Sequence, residues 1–456
     1  THNSRGVDIE EPIILDSSAP APLLCRRAQG GTLKLRVTER RIGMSGTLRV
    51  QCCIAGGGPA GMMLGLLLAR AGVSVLVLEK HADFLRDFRG DTIHPSTLEV
   101  IYELGLLDRF LALPHQKVPR ITGQFGDLAL TVADFSSLPT HCRYVAFIPQ
   151  WDFLSFLAQE GARYPGFALR MQAEVTDLIV DGERVAGVRS TTPEGSLVVW
   201  ADLIVGADGR HSVVRAKAGL TVDEFGAPMD VLWFKLSRRA GDPADPVGRF
   251  DRGRIFIMLN RGDYWQCGFV IAKGTRDQLE AKGLAAFRAS IARSAPYVAD
   301  RVDELQDWHS IKLLTVQVDR LREWSRSGVL CIGDAAHAMS PVGGVGINLA
   351  IQDAVAAANL LAESLRDGRV TTDELCLVQE RREWPTRVTQ RMQLAVQDRV
   401  IKRVLDDRAP LVPPLAIKLL AWFPFLRRIP ARLIGLGVRP EHVHTTAVPP
   451  RPHPLP

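Results

Sequence analysis
Apolar and polar positions in this chain become periodic only at Leu48. From there to Glu79 a strand-like run (48–54), a glycine-rich turn, an apolar helix-length run (59–71) and a second strand-like run (73–78) follow one another, the order of a βαβ unit. Apolar residues then recur at helical spacing over 98–107, with Gly105 as the expected stop, and again over 151–161. The stretch 116–144, rich in Thr, Phe and Gly, reads as short strands leaving this layer. Alternation over 171–200, with turn signals at Asp181-Gly182 and Pro193-Glu194-Gly195, predicts a three-stranded meander, and 203–205 a separate buried strand. Aromatic-rich strands are expected at 232–236, 254–259 and 265–271, with one helix near 276–293. A short strand at 329–332, a helix over 348–365 and helical spacing over 388–405 precede a Pro-rich, apolar and basic tail.

Residues 1–46 show no sustained period and lack the apolar core of a secretory signal, so they read as a disordered extension rather than a functional arm. At 456 residues the chain is too long for one ordinary domain. The net charge of +6 and pI of about 9.0 would suit a nucleic-acid binder, but the basic residues are spread along the chain instead of forming a stripe. The seven cysteines (25, 52, 53, 142, 267, 331, 376) are odd in number and show no C-x-x-C spacing, which argues against a disulfide framework or a metal site and suits a reducing cytoplasm. No uninterrupted apolar run reaches the roughly 18–20 residues of a membrane span; 347–361 is broken by Gln352 and Asp353.

Candidate chemistry begins at Gly56-Gly57-Gly58-Pro59-Ala60-Gly61, a G-x-G-x-x-G that follows a strand and opens a helix, with Glu79 ending the next strand about 20 positions on. Gly56 permits the tight turn, Gly58 lets backbone N–H groups approach a pyrophosphate, and Gly61 allows close helix–strand packing. The diphosphate would then meet the positive end of the helix dipole. Glu79 is placed to accept from ribose hydroxyls, which favours FAD or NAD over a 2′-phosphorylated nucleotide. Two further Gly-Asp signals follow strands: Asp208-Gly209 after 203–205, and Gly333-Asp334 after 329–332. The second leads into Pro341-Val342-Gly343-Gly344-Val345-Gly346-Ile347-Asn348 and a long helix. A carboxylate at a strand end can hold a polyol hydroxyl, and a glycine loop at a helix start can offer N–H donors to a group that becomes anionic.

In this order and spacing the three signatures resemble the single-component flavin aromatic hydroxylases, the para-hydroxybenzoate hydroxylase-like group, over roughly Leu48 to Val400. The resemblance implies an α/β fold: a Rossmann-type FAD-binding domain (47–115, 145–222 and 325–400), an inserted β-sheet substrate domain (116–144 and 223–324) and a helical, Pro-rich tail (401–456). It implies that Gly56, Gly58, Pro59, Ala60, Gly61, Glu79 and Lys80 hold the ADP half, with Arg89 near the pyrophosphate and Val175 meeting adenine. Gln150 and Asp334, beside Gly333, would face the ribityl chain. Asp208 and Gly209 would serve both FAD and the nicotinamide nucleotide, and Pro341, Gly343, Gly346, Ile347 and Asn348 would line the isoalloxazine. His337 reads as a structural hydrogen-bonder rather than a catalyst.

With only one G-x-G-x-x-G, NAD(P)H is expected to visit transiently as co-substrate. The implied activity is NAD(P)H- and O2-dependent hydroxylation of an aromatic or polyketide-like ring through a flavin C4a-hydroperoxide; a reductase or redox-neutral flavoprotein of the same fold is the alternative. Trp233, Phe234, Phe256, Tyr264 and Trp265 are candidates for the substrate pocket, although alternation must turn about half of them away. No nucleophile, metal or carboxylate-binding Arg/Tyr pair is evident. The tail mixes Trp422, Phe423 and Phe425 with Lys418, Arg427, Arg428 and Arg432. It reads first as a helix pair packed on its own domain or a dimer partner, and second as a contact with an acidic membrane.

Overall fold
The computed structural model describes residues 46–85, 92–126, 128–243, 246–406 and 415–451. The extension, Cys25 and Arg89 therefore lie outside the described residues. Two sheets organise the rest. The first is built on parallel strands in the order Val329–Cys331, Gly195–Gly206, Thr47–Ala55, Val75–Leu78, Phe167–Arg170, with Ser325–Arg326 added antiparallel at the edge. Its core strands are apolar without alternation (Cys52–Ala55 and Val75–Leu78 are all buried), as a sheet covered on both faces requires. The covering helices are Pro59–Arg70, Gln150–Gly161 and Gly346–Arg366, and their buried side chains join the strands in one core.

The meander is present as Glu174–Asp181, Arg184–Thr192 and Gly195–Gly206. The expected separate strand at 203–205 does not exist; it is the end of this third strand. Its first half pairs antiparallel with Gly187–Thr192, while Ile204–Gly206 pairs parallel with Val329–Cys331. One uninterrupted strand thus changes partners and carries the chain from the meander into the parallel layer.

The second sheet, seven-stranded and mostly antiparallel, runs Lys312–Leu314, Met229–Ser237, Tyr264–Ala272, Arg254–Asn260, Val247–Asp251, Arg120–Phe125, Leu128–Asp134. One face is covered by Leu284–Ser294 and the turn Pro296–Glu304. The single helix expected near 276–293 is two, Arg276–Ala281 and Leu284–Ser294, because Gly283 turns the chain at φ +85°. The 388–405 periodicity belongs to a helix that starts earlier, at a Thr371/Glu374 capping box, and runs Thr372–Val396 before a π-helical turn at Gln397–Ile401.

By length and mean composition Val342–Arg366 could cross a membrane, although Gln352 and Asp353 interrupt its apolar run. Yet 78% of its most apolar window is buried inside the protein. Asp353, at its centre, is fully buried and paired with Arg382 and His337, so this is a core helix.

Candidate active site
Register places the sequence motifs on one line. Ala55 lies opposite Leu78 on one side and Gly206 on the other, and Gly206 lies opposite Cys331. The residues that follow these positions, Glu79, Gly56–Gly61, Asp208-Gly209 and Gly333-Asp334, therefore leave the carboxyl edge of one parallel sheet side by side. In open α/β sheets that edge is where ligands bind.

Each glycine of the fingerprint has its own constraint. Gly56 sits at φ +106°, and an added Cβ would lie 2.3 Å from the Ala207 carbonyl oxygen. At Gly61 a Cβ would meet the Gly56 carbonyl oxygen at 2.0 Å, so helix and turn interlock only without a side chain. Gly58 is different: a Cβ there meets no atom of the described residues within 4 Å. It caps the Pro59–Arg70 helix with no side-chain hydrogen bond, leaving the first-turn N–H groups facing a cradle that a side chain would fill. Pro59 and Ala60 open that helix. Glu79, buried, accepts from the Gly57 N–H at 2.9 Å and the His81 N–H at 3.0 Å, which fixes a carboxylate beside the turn; Lys80 next to it is exposed. These features fit a dinucleotide diphosphate at the helix N-terminus.

Asp208 is buried. Its Oδ2 accepts from the Val213 and Val214 N–H groups (2.7 and 3.2 Å), while Oδ1 is buried with no hydrogen-bond partner among the described residues. Burial pushes its carboxyl above the usual range, opposed by its hydrogen bonds with Ser212 and the backbone. Asp334 is half-buried and 3.6 Å from Arg210. Gly333 is clamped by the Asp353 carboxylate, which accepts its N–H at 3.1 Å and pairs with His337 at 2.6 Å; His337 thus has the structural role its position suggested. The Asp353 carboxyl is held below its usual range: burial raises it, but His337 and Arg382 outweigh that. Gln150 is the buried first residue of its helix, and Val175 is a buried position opposite Ser190.

The glycine loop from Pro341 through Gly343 and Gly344 to Gly346 and Ile347 is held from two sides. The Thr92 hydroxyl donates to the Gly344 carbonyl at 3.0 Å. The Asn348 amide oxygen accepts from the His94 N–H and the Thr97 hydroxyl (3.0 and 2.7 Å), so this side chain ties the loop to the Pro95–Glu103 helix. Behind the loop a ladder of buried glutamines escaped the sequence reading. Gln390 donates to the Asp319 and Ala338 carbonyls, Gln393 to those of Ser340 and Val342, and Gln397 to the Ser340 hydroxyl. Their 3- and 4-residue spacing, one helix face, was the available signal.

Of the pocket aromatics, Phe234, Phe256 and Trp265 lie on the face packed under Leu284–Ser294 and are fully buried there, and the Trp265 indole N–H donates to Asp242. This corrects their expected place; alternation turned them to the covered side. Trp233 is on the other face with Val231, Ile255 and Val270, the face against which Val342 of the glycine loop packs. Its ring crosses the space above Gly268. Tyr264 lies half-buried under the Lys235 ammonium, and the neighbouring Gln266 accepts from Arg261 at 3.0 Å.

With this geometry in place, similarity to known proteins is decisive. The chain matches the family described as FAD binding domain over residues 49–392. The chain belongs to that family. It is 33% identical over 385 residues to 6-methylpretetramide 4-monooxygenase of Streptomyces rimosus, covering 83% of this chain and 91% of that protein. Its fold matches anhydrotetracycline hydroxylase from the same organism with a TM-score of 0.70 at 28% identity, over 86% of this chain and 77% of the other. Dialkyldecalin synthase of Streptomyces rugosporus is 29% identical over 315 residues, 66% of this chain and 63% of that protein. FAD is therefore the cofactor, and the protein is an oxidoreductase of the FAD-dependent monooxygenase type.

Proposed function
We propose that this protein hydroxylates a polycyclic, polyketide-derived phenol with NAD(P)H and O2. The observation that carries the reading is the alignment of four motif turns on one carboxyl sheet edge, with the glycine loop packed through Val342 on the sheet face that holds the half-buried Trp233. The similarity to a pretetramide monooxygenase over nearly its whole length supports the substrate class.

When bound, FAD supplies the two-electron chemistry that links NAD(P)H oxidation to oxygen activation. Gly56, Gly58, Pro59, Ala60 and Gly61 would receive the diphosphate, and Glu79 with Lys80 the adenosine ribose. Arg89 would lie near the diphosphate and Val175 against adenine. Gln150, Asp208, Gly209, Gly333 and Asp334 would hold the ribityl chain. Pro341, Gly343, Gly346, Ile347 and Asn348 would border the ring system, where the N-terminus of Gly346–Arg366 favours negative charge. Trp233 and Tyr264, with Val231, Ile255 and Ile257, would form the substrate wall and exclude water. In this reading 116–144 and 223–324 are the substrate half and the remaining core is the FAD half. Buried free thiols at Cys52, Cys53, Cys267 and Cys331 support a cytoplasmic setting.

The test is steady-state turnover over a panel of polycyclic phenols. NAD(P)H consumption matched mole for mole by hydroxylated product is expected. Consumption that yields only hydrogen peroxide with every phenol would remove the substrate assignment.

A further inference from the structure
We propose that the C-terminal helix pair, Leu415–Trp422 and Arg428–Gly435, is a landing surface for an anionic lipid bilayer. Its inner side is already committed to the protein: Ala431 is fully buried with Phe135 and Leu138, and a Cβ on Gly435 would lie 2.8 Å from Leu138. The outer side is apolar and open. Leu415 and Trp422 are 66% exposed, Phe425 64% and Ile429 58%, with Phe423 also exposed. Of fifteen exposed large apolar residues among the described residues, these five fall within fifteen positions, so the exposure is local.

Charge decides what covers it. Between Leu415 and Arg439 stand Lys418, Arg427, Arg428, Arg432 and Arg439, with no Asp or Glu. Arg428 and Arg432 are exposed on the same helix as Ile429. Arg427 has the Asp134 carboxylate of the adjoining strand within electrostatic reach, but a two-fold contact between copies, in which the same patch meets itself, would bring the exposed Arg428 and Arg432 together with no acidic residue on the helix pair to offset them. Anionic headgroups supply that counter-charge, and Trp and Phe beside Arg is the composition that settles at the depth of the headgroup–acyl boundary.

The experiment sediments the full-length, FAD-loaded protein with phosphatidylcholine vesicles containing about one third phosphatidylglycerol, and with pure phosphatidylcholine vesicles. Binding to the anionic vesicles is expected, weakened by salt. Trp422→Ser with Phe425→Ser, and separately Arg428→Glu with Arg432→Glu, should each lower the bound fraction about tenfold or more. The flavin absorbance and melting temperature should be unchanged, showing that the variants fold. No binding to anionic vesicles, or binding that neither pair changes, overturns the proposal. So does a dimer in sedimentation velocity that the Trp422/Phe425 pair converts to monomer, because the face would then join two copies.

Discussion
Gly58 and Gly61 separate folding from cofactor binding at the level of single atoms. Gly61 has a backbone oxygen 2.0 Å from where a Cβ would stand, whereas Gly58 has open space among the described residues. Gly61→Ala should lower the melting temperature of the FAD-free protein by several degrees. Gly58→Leu should leave that temperature within about one degree yet weaken FAD binding by more than about tenfold, since its side chain fills the diphosphate cradle. Thermal melts and flavin titrations of both variants check this; full FAD affinity in Gly58→Leu would mean that the cradle holds something else.

His94 gives a pH signature. Its Nδ1 lies 2.7 Å from the Ile434 carbonyl, and burial lowers its pKa from 6.5 to about 4, only partly opposed by that hydrogen bond. Folding thus excludes a proton that the unfolded chain binds. The stability is fully present above about pH 6.5 and is lost as pH falls toward about 4, by up to about 3 kcal/mol. His94→Gln should flatten the melting temperature over that window; an unchanged slope would assign the effect to another group.

At the scale of elements, the strand ends were legible in the sequence and the sheet faces were not. Gly-Asp and G-x-G-x-x-G are local signals, so the turns at 56–61, 208–209 and 333–334 could be placed without tertiary knowledge. Alternation says only that Trp233 and Phe234 point oppositely. Which side is covered depends on Leu284–Ser294, a helix some fifty residues away. The glutamine ladder was hidden for the same reason: Gln393 bonds to Ser340 and Val342, 53 and 51 positions off. Gln393→Leu leaves those carbonyls and the Ser340 N–H without their partner. It should cost about 2–3 kcal/mol in denaturant unfolding and weaken FAD binding, because the glycine loop loses its backing. A stable variant with normal flavin affinity would show that the loop does not need the ladder.

Across the whole molecule, the tail is a clasp more than an appendage. Glu441 is buried, pairs with Arg381 and Arg382, and through Arg382 reaches Asp353 and the Gly333 turn. Val448 and Arg451 continue the contact by donating to the Arg70 and Arg163 carbonyls. Glu441→Ala should destabilise the protein by about 1–3 kcal/mol by leaving Arg382 under-paired, measured as a shifted urea midpoint. No shift would mean that solvent reaches Arg382. These partners were not legible from a Pro-rich, basic composition, since they lie on the Pro59–Arg70, Gly346–Arg366 and Thr372–Val396 helices and in the turn after Gln150–Gly161.

The central claim is that FAD chemistry here puts oxygen into an organic ring, and isotope labelling tests it most directly. Turnover of an accepted polycyclic phenol under heavy-oxygen gas, in ordinary water, should yield product carrying one heavy oxygen atom per new hydroxyl by mass spectrometry. Product without label, or a rearranged product formed with no NAD(P)H consumed, would contradict the account and move the protein toward the redox-neutral side of its family.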